Sequence, residues 1–166
     1  MIIYHGSDVS IEYPEILDSD RYLDFGIGFY TTSNREQAER WAGKVSSRNS
    51  SNKQIISIYN FDFSEVKDKL KLIEFVDADE AWLDFIVSNR SGKKIQEKYD
   101  LVSGPVADDN VYLTIKLFES GVLNKGETIK RLKIEKLFNQ ILFHSPDSLK
   151  YLFFDHYELI EEKTYE

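Results

Sequence analysis

The sequence predicts an α+β fold, with a β-sheet core flanked by helices. Apolar segments of strand character stand at both ends of the chain, at residues 1–5 and 153–160. Between them, strand and helix patterns follow one another without the regular alternation of a βαβ series. The chain has 166 residues, a length at which one domain can bury a core without disulfide bonds. We therefore expect a single domain over residues 1–166.

The first half of the chain predicts several strands and one amphipathic helix. Apolar, β-branched and aromatic residues predict strands at 1–5, 28–32, 54–61 and 71–76. Ser33, with Glu36 three residues later, has the pattern of a capping box. Apolar residues then recur at helical spacing, namely Ala38, Trp41, Ala42 and Val45. We expect a helix over about residues 34–46, with loops at 8–24 and 46–53.

The second half predicts four helices between strands. Asp77 with Glu80 marks the start of a helix, and Asp108 marks the start of another that Gly121 closes. Ser145 followed by Pro146 is a further helix start. The remaining predicted elements are helices at 127–137 and 147–152 and strands at 99–106, 139–145 and 153–160.

The composition argues against several classes of function. With no cysteine and three scattered histidines, the chain has no thiolate chemistry and no recognisable metal motif. A formal net charge of −8 disfavours broad binding to nucleic acids, whose phosphates carry the same sign. No signal-peptide pattern is visible, and no apolar run approaches the ~18 residues of a membrane span. We therefore expect a cytoplasmic protein with no metal and no membrane partner.

Four segments carry residues that could bind a ligand. They are YHGS at 4–7, GIGFYTT at 26–32, YDLVSGPVADD at 99–109 and NQILFHS at 139–145. A histidine beside a glycine turn can bond a ligand hydroxyl, and the ring of Tyr30 can stack on a flat heterocycle. Alternation along the last segment places Gln140 on the same face as Leu142 and His144.

Each signal also has a purely structural explanation. His5 can be a structural histidine at a strand end, and Tyr30 and Trp41 can be core aromatic residues. Gln140 can lie on an exposed edge strand, and Asp108 can be an ordinary helix N-cap. Ordinary packing requires neither glycine of GIG, which indicates that a ligand or another strand approaches this backbone closely, and a bulged strand is the structural alternative.

Taken together and in this order, the segments resemble the ADP-ribosyltransferase superfamily, in the branch of diphtheria toxin and the poly(ADP-ribose) polymerases. That branch has His-Gly-Ser/Thr on an early strand, Gly-x-Gly-x-Tyr before a helix with a second aromatic residue, and a late strand with a Glu. The matching residues are HGS at 5–7, GIGFY at 26–30, Trp41, and Gln140 in place of the Glu. The whole chain is also similar to a bacterial family of unknown function placed in that superfamily, through YHGS, DFGIGFYTT, Trp82–Arg90 and YDLVSGPVADD.

The resemblance implies a split β-sheet core of the ADP-ribosyltransferase type and NAD as the substrate, without a metal. Nicotinamide would stack between Tyr30 and Trp41, with its carboxamide on the backbone of Gly6. His5 would bond a ribose hydroxyl, and Ser7 would lie nearby. The two glycines of GIG would leave room for the nicotinamide.

Gln140 departs from the superfamily pattern, in which a Glu bonds the ribose and stabilises positive charge on the sugar. A glutamine keeps the hydrogen bond but supplies neither a negative charge nor a general base. With Gln140 and Tyr30 as catalytic residues, the resemblance implies mono-ADP-ribosylation of an unidentified acceptor, or NAD hydrolysis, rather than poly(ADP-ribose) synthesis. The alternative is a catalytically silent module that binds NAD or a protein.

Two further residues and one partner complete the expectations. Arg90 can pair with the pyrophosphate of NAD, and Asp108 can replace the missing carboxylate. A cation at a helix end and an N-cap explain these two residues more simply. Members of the similar family commonly lie beside a small partner gene, so the analogy implies the toxin of a toxin–antitoxin pair, with a small antitoxin as partner.

Overall fold

A computed structural model describes residues 1–18, 23–92, 98–106, 109–133 and 137–160. In chain order its elements are β1 (Ile2–Ser7), β2 (Phe29–Thr31), α1 (Arg35–Arg48), β3 (Ile55–Asn60), α2 (Phe63–Val66), β4 (Leu72–Glu74), α3 (Glu80–Arg90), β5 (Leu101–Pro105), α4 (Asp109–Glu119), α5 (Lys125–Leu132), β6 (Asn139–Phe143), α6 (Pro146–Leu149) and β7 (Phe153–Leu159). The α+β prediction is confirmed. The candidate Asp108 lies outside the described residues.

The described strands lie in two sheets. One is antiparallel, with the order β1-β3-β7, and the other has the order β2-β6-β5-β4 with a parallel β4–β5 pair. β6 is therefore an interior strand, hydrogen-bonded to β2 on one side and to β5 on the other. Gln140 on β6 is 2% exposed, so the explanation of an exposed edge position is wrong.

Strands β1 and β2 join the two sheets at a single β-bridge. The Tyr4 N–H donates to the Thr32 carbonyl at 2.8 Å, and the Thr32 N–H donates to the Tyr4 carbonyl at 3.0 Å. Helix α1 follows directly and packs along β1 and β3. The two sheets diverge beyond this bridge, and α1 covers one wall of the gap.

The hydrophobic core lies on both faces of β6. Leu142 packs on one face, in a cluster with Phe25, Trp82, Ile86 and Ile115. Ile141 and Phe143 pack on the other face, in a cluster with Phe29, Tyr59, Phe61 and Leu152. This confirms the alternation predicted for the strand, and the side chain of Gln140 therefore lies on the Leu142 face.

Three helices begin at residues other than those predicted. The side chain of Asn34, not Ser33, accepts from the Gln37 N–H at 2.8 Å, because Ser33 instead bonds the side chain of Asn139. Asp79, not Asp77, caps α3. The helix expected from residue 127 begins at Lys125, where the preceding Asn124 and Glu127 form a capping box. The Ser145–Pro146 start of α6 is confirmed.

The glycines of GIG serve the fold, so the prediction that ordinary packing requires neither is wrong. Gly26 has a φ of 90°, a backbone conformation that residues with a side chain rarely adopt, and it lies in the turn before β2. A Cβ on Gly28 would lie 2.4 Å from the Phe143 carbonyl oxygen on β6. The group that approaches this backbone is therefore the neighbouring strand.

Candidate functional site

The gap between the two sheets contains a cleft of about 740 Å³, within the size range of small-molecule sites. Its described lining comes from β1, β2, β6, three helices, the segment before β2 and the residue that follows β5. The lining residues are His5, Gly6, Leu23, Asp24, Tyr30, Trp41, Lys44, Val45, Arg48, Arg90, Val106, Tyr112, Lys116, Glu119 and Gln140. Five of the six predicted NAD-site residues are thus brought together, although they span 135 positions of the sequence from His5 to Gln140.

The backbone at the head of the cleft explains why the sheets separate there. Continuing the Tyr4–Thr32 bridge by two residues would pair Gly6 with Tyr30. Instead, the Tyr30 carbonyl accepts a hydrogen bond of 2.7 Å from Nδ1 of His5. Neighbouring residues of a strand direct their N–H and C=O groups to opposite edges, so residues two apart use the same edge. The N–H and C=O groups of Gly6 therefore point to the edge that Tyr4 uses, towards the gap.

Gly6 is also required by the packing of helix α1. A Cβ at this position would lie 1.9 Å from the carbonyl oxygen of Ala38 and 2.7 Å from the backbone nitrogen of Ala42. The absence of a side chain at Gly6 therefore lets α1 lie directly on β1. This contact fixes the position of α1 on β1. Trp41, which lies between Ala38 and Ala42 on the helix, lines the wall of the cleft.

His5 is held in one tautomer and one orientation. Its ring stacks on Phe29 with the centroids 4.4 Å apart, and Nδ1 donates to the Tyr30 carbonyl. Burial lowers the pKa of His5 below its usual value of 6.5, outweighing the opposing effect of that hydrogen bond. The neutral ring therefore keeps Nε2 as an acceptor, which is what a ligand hydroxyl requires.

Tyr30 lines the cleft and packs against the Leu142 core cluster, while its hydroxyl group is engaged in the turn before β2. The hydroxyl donates to the Gly26 carbonyl at 2.7 Å and accepts from the Phe25 N–H at 3.2 Å. Burial raises the pKa of Tyr30 far above its usual value. Tyr30 therefore stays protonated near neutral pH and cannot act as a general base. Its hydroxyl group is already bonded within the chain, which leaves the ring for contact with a ligand.

Gln140 is the most unusual polar residue of the site. It lies on an interior strand, is 2% exposed, and lines the cleft. Its side-chain Nε2 is buried, and no described residue accepts a hydrogen bond from it. A buried donor without a partner costs about 1–3 kcal/mol of stability, so its retention in a cleft wall is typical of a group that meets a ligand.

Ser7 is the predicted site residue that the structure does not bring to the cleft. Its backbone pairs with Ile55 on β3, and its hydroxyl group lies 3.4 Å from a carboxylate oxygen of Asp8. It belongs to the far end of β1, beyond the residues that face the gap. Trp41, in contrast, is partly buried on α1 and lines the cleft.

Arg90 occupies the wall of the cleft at the end of α3 and is 92% buried, since 8% of its side chain is exposed. Its Nε lies 3.8 Å from a carboxylate oxygen of Asp24 and 3.9 Å from one of Glu119. The guanidinium stacks on the Tyr112 ring at 4.4 Å. Nη1 is buried without a partner among the described residues. A cation that only complements a helix end would be solvated, and the buried side chain of Arg90 is not.

Sequence reasoning did not identify several lining residues, notably Asp24, Tyr112, Lys116 and Glu119. Tyr112, Lys116 and Glu119 lie on α4 at helical spacing, which a solvated helix face would share. Only the packing of α4 beside α3 distinguishes them. The single available signal was the charge of Asp24 directly before the buried Phe25, and that signal is weak.

No described helix combines the length and the apolar composition needed to cross a bilayer. In the same part of the chain, no group of three or more potential metal-ligating side chains is close enough to hold a metal ion.

The fold and the cleft define a class of protein, an α+β domain with a ligand-sized cleft where two small sheets diverge. The chain belongs to the family described as a protein of unknown function, DUF3990, whose family model matches residues 1–154. That match includes every lining residue of the cleft. No curated protein and no solved structure matches the chain.

Proposed function

We propose that the cleft binds NAD and that the protein is a mono-ADP-ribosyltransferase-like enzyme. The observation that carries the proposal is Gln140, a buried amide donor without a partner on the cleft wall. It occupies the position at which the sequence pattern of the ADP-ribosyltransferase superfamily has its Glu. The convergence of His5, Tyr30 and Trp41 on the same cleft supports the same assignment.

The two aromatic rings suit a flat heterocycle such as nicotinamide. Tyr30 and Trp41 both line the cleft and come from separate elements, β2 and α1. Gly6 directs its backbone polar groups to the same gap, where a carboxamide can pair with an N–H and a C=O. Nε2 of the neutral His5 can accept a hydrogen bond from a ribose hydroxyl.

The reaction that these groups support is substitution at the anomeric carbon of the nicotinamide ribose. The C1′–N bond breaks, and its electron pair leaves with nicotinamide, so that positive charge develops on the sugar. A nucleophilic group of the acceptor, or water, then bonds to C1′ and releases a proton to solvent. The site contributes mainly orientation of the leaving group and of the ribose.

Gln140 contributes a directed hydrogen bond and no charge. Its amide can hold a ribose hydroxyl through the transition state, but it cannot offset the positive charge of the sugar as a carboxylate would. Tyr30 contributes its ring and not its hydroxyl group, which is bonded to the Gly26 turn. We therefore propose slow transfer or hydrolysis of NAD rather than polymer synthesis.

Incubating the protein with NAD labelled in the adenosine part and a cell lysate tests the proposal. We expect label on an acceptor together with free nicotinamide. Nicotinamide without transferred label would make the protein an NAD glycohydrolase. NAD binding without either product would make it the silent binding module, and no binding would contradict the proposal. The acceptor recovered in this assay would also test the toxin–antitoxin analogy.

Two variants make the assay specific to the cleft. Gln140→Ala removes the buried amide, and we expect it to lower nicotinamide release. Gln54→Ala removes an amide outside the cleft lining and serves as the matched control. Equal activity in both variants would locate the reaction elsewhere.

A further inference from the structure

Arg90 is a second residue of the cleft lining that has a buried donor without a partner among the described residues. A guanidinium has five N–H donors, and a buried one is normally satisfied on every edge. Here both nearby carboxylates lie on the Nε side, at 3.8 and 3.9 Å, beyond direct hydrogen-bond distance. Nη1 has no partner among the described residues, although it is buried. The cleft wall thus holds a cation with one unused edge.

The neighbours of Arg90 fix its position without using that edge. Tyr112 covers one face of the guanidinium at 4.4 Å, and Asp24 and Glu119 hold the Nε side. Glu119 is shared with Lys116, whose Nζ lies 3.5 Å from its other oxygen. Both carboxylates lie beyond hydrogen-bond distance of Nε and leave Nη1 without a partner among the described residues, so the guanidinium retains a donor for a further anion.

The described lining of the cleft differs in the sign of its charge from the whole protein. Among the described residues, the lining contains four cationic side chains, Lys44, Arg48, Arg90 and Lys116, against two anionic ones, Asp24 and Glu119, and the difference is +2. The chain as a whole has a formal net charge of −8. The cations come from α1, α3 and α4 and so lie on more than one wall. This concentration of positive charge favours an anionic ligand.

We infer that Arg90 binds a phosphate of a diphosphate-bearing ligand, with its Nη1 edge as the donor, and that the cations on α1 and α4 hold the remaining charge. A planar fork is suited to phosphate oxygens, and two linked phosphates match cations from several elements. Asp24 competes with the phosphate for the guanidinium. Burial raises the pKa of Asp24, against the lowering effect of Arg90.

The inference deepens the proposed function, since it rests on the same cleft and names the dinucleotide pyrophosphate as the part that Arg90 recognises. It predicts opposite effects at the two ends of one ion pair. Arg90→Gln should weaken the binding of ADP-ribose by about 10- to 100-fold, the scale of a hydrogen bond to a charged group. Asp24→Asn removes the competing carboxylate and should strengthen that binding.

Calorimetry with three probes, namely ADP-ribose, inorganic pyrophosphate and nicotinamide, tests the inference. Arg90→Gln should lose affinity for the first two probes and keep its affinity for nicotinamide. Arg131→Gln, an exposed arginine on α5 outside the cleft lining, is the matched control. If Arg90→Gln fails to fold, Arg90→Lys keeps the charge without the fork and should still weaken ADP-ribose binding.

Two results would overturn the inference. One is an affinity for ADP-ribose in the Arg90 variants that equals that of Arg131→Gln. The other is an equal loss in Asp24→Asn and Arg90→Gln, because a pair that only supports the wall would behave in this way. Neither result bears on nicotinamide release, which tests the proposed function. Conversely, Arg90-dependent binding of pyrophosphate without NAD turnover would retain the inference and reject the enzyme.

Discussion

The Tyr30 hydroxyl donates a 2.7 Å hydrogen bond to the Gly26 carbonyl, four residues earlier in the chain. The same oxygen accepts from the Phe25 N–H, so one side chain closes the turn that leads into β2. Asp24, the residue before this turn, faces Arg90. Asp24 thus directly precedes the two residues, Phe25 and Gly26, that hold the Tyr30 hydroxyl group. The turn therefore connects the Tyr30 part of the cleft with the Arg90 part.

Tyr30→Phe should destabilise the protein by about 1–3 kcal/mol, because it leaves the buried N–H of Phe25 and the carbonyl of Gly26 without their partner. Chemical denaturation of the parent and the variant measures this loss. Tyr157→Phe, on the exposed β7, is the control and should be neutral. A neutral Tyr30→Phe would mean that water replaces the hydroxyl group.

Alanine substitutions should distinguish glycines at which a Cβ would clash from a glycine that only adds flexibility to the chain. Gly6→Ala and Gly28→Ala place a Cβ 1.9 Å and 2.4 Å from backbone oxygens, so each should destabilise the protein by about 1–3 kcal/mol or more. Gly43→Ala in α1 meets only the end of the Gln54 side chain at 3.4 Å and should stabilise the helix by about 0.5–1 kcal/mol. Thermal unfolding of the three variants measures the order. A stabilised Gly6→Ala would contradict the direct contact between α1 and β1.

The pH dependence of stability should reveal the partly buried His5. Burial lowers its pKa below 6.5 in the folded protein, so below pH 6.5 the unfolded chain binds a proton that the folded chain does not. The free energy of unfolding should therefore fall as the pH is lowered through this window, by up to about 1.4 kcal/mol per pH unit, and level off below the folded pKa. Urea titrations at several pH values measure the slope.

His5→Gln should make that slope shallower, although His144, whose pKa burial also lowers, contributes a slope of the same sign. His156→Gln is the control, because its partners Asp155 and Glu158 raise the pKa of this exposed histidine. Its contribution to stability is present below pH 6.5 and is lost as the pH rises. A slope unchanged by His5→Gln would show that His5 titrates equally in both states.

The fold was largely predictable because the elements carry strong local signals. The alternation around Leu142, the Ser145–Pro146 start and the glycine after α4 each specify structure within a few residues. Helix starts were harder to predict, because Ser33 and Asn34 are both good N-caps. The choice between them depends on a contact between Ser33 and Asn139, 106 positions away, which local patterns cannot show.

The site was predictable only where a motif marked it. His5, Tyr30 and Gln140 came from the resemblance to a family pattern, and the structure brings them to one cleft. The role of the glycines was interpreted wrongly, since a close approach by a strand and one by a ligand leave the same trace in a sequence. Lys116 and Glu119 could not be found, because their position depends on the packing of α4 against other elements.

Replacing Gln140 by a residue of similar shape without a hydrogen-bond donor should increase stability while it slows the reaction. Gln140→Met removes the buried Nε2 that lacks a partner, so we expect a gain of about 1 kcal/mol or more in the free energy of unfolding. Nicotinamide release should fall on the order of 10²-fold, as it does when a transition-state donor is lost elsewhere. Denaturation and a nicotinamide assay measure the two effects. A destabilised Gln140→Met would indicate that the amide is already bonded.

Gln140→Glu tests whether the missing carboxylate limits the reaction. A negative charge at this position would face the positive charge that develops on the ribose, so we expect faster nicotinamide release than in the parent. Since the position is 2% exposed, burial should raise the pKa of the new carboxyl group. The variant should therefore be less stable than the parent at neutral pH and regain stability as the pH falls and the group takes up a proton. Its rate should rise with pH over the same interval, a limb that the parent glutamine cannot show. If Gln140→Met and Gln140→Glu both release nicotinamide at the parent rate across this pH range, Gln140 does not contact the reacting sugar, and the enzymatic assignment of the cleft is wrong.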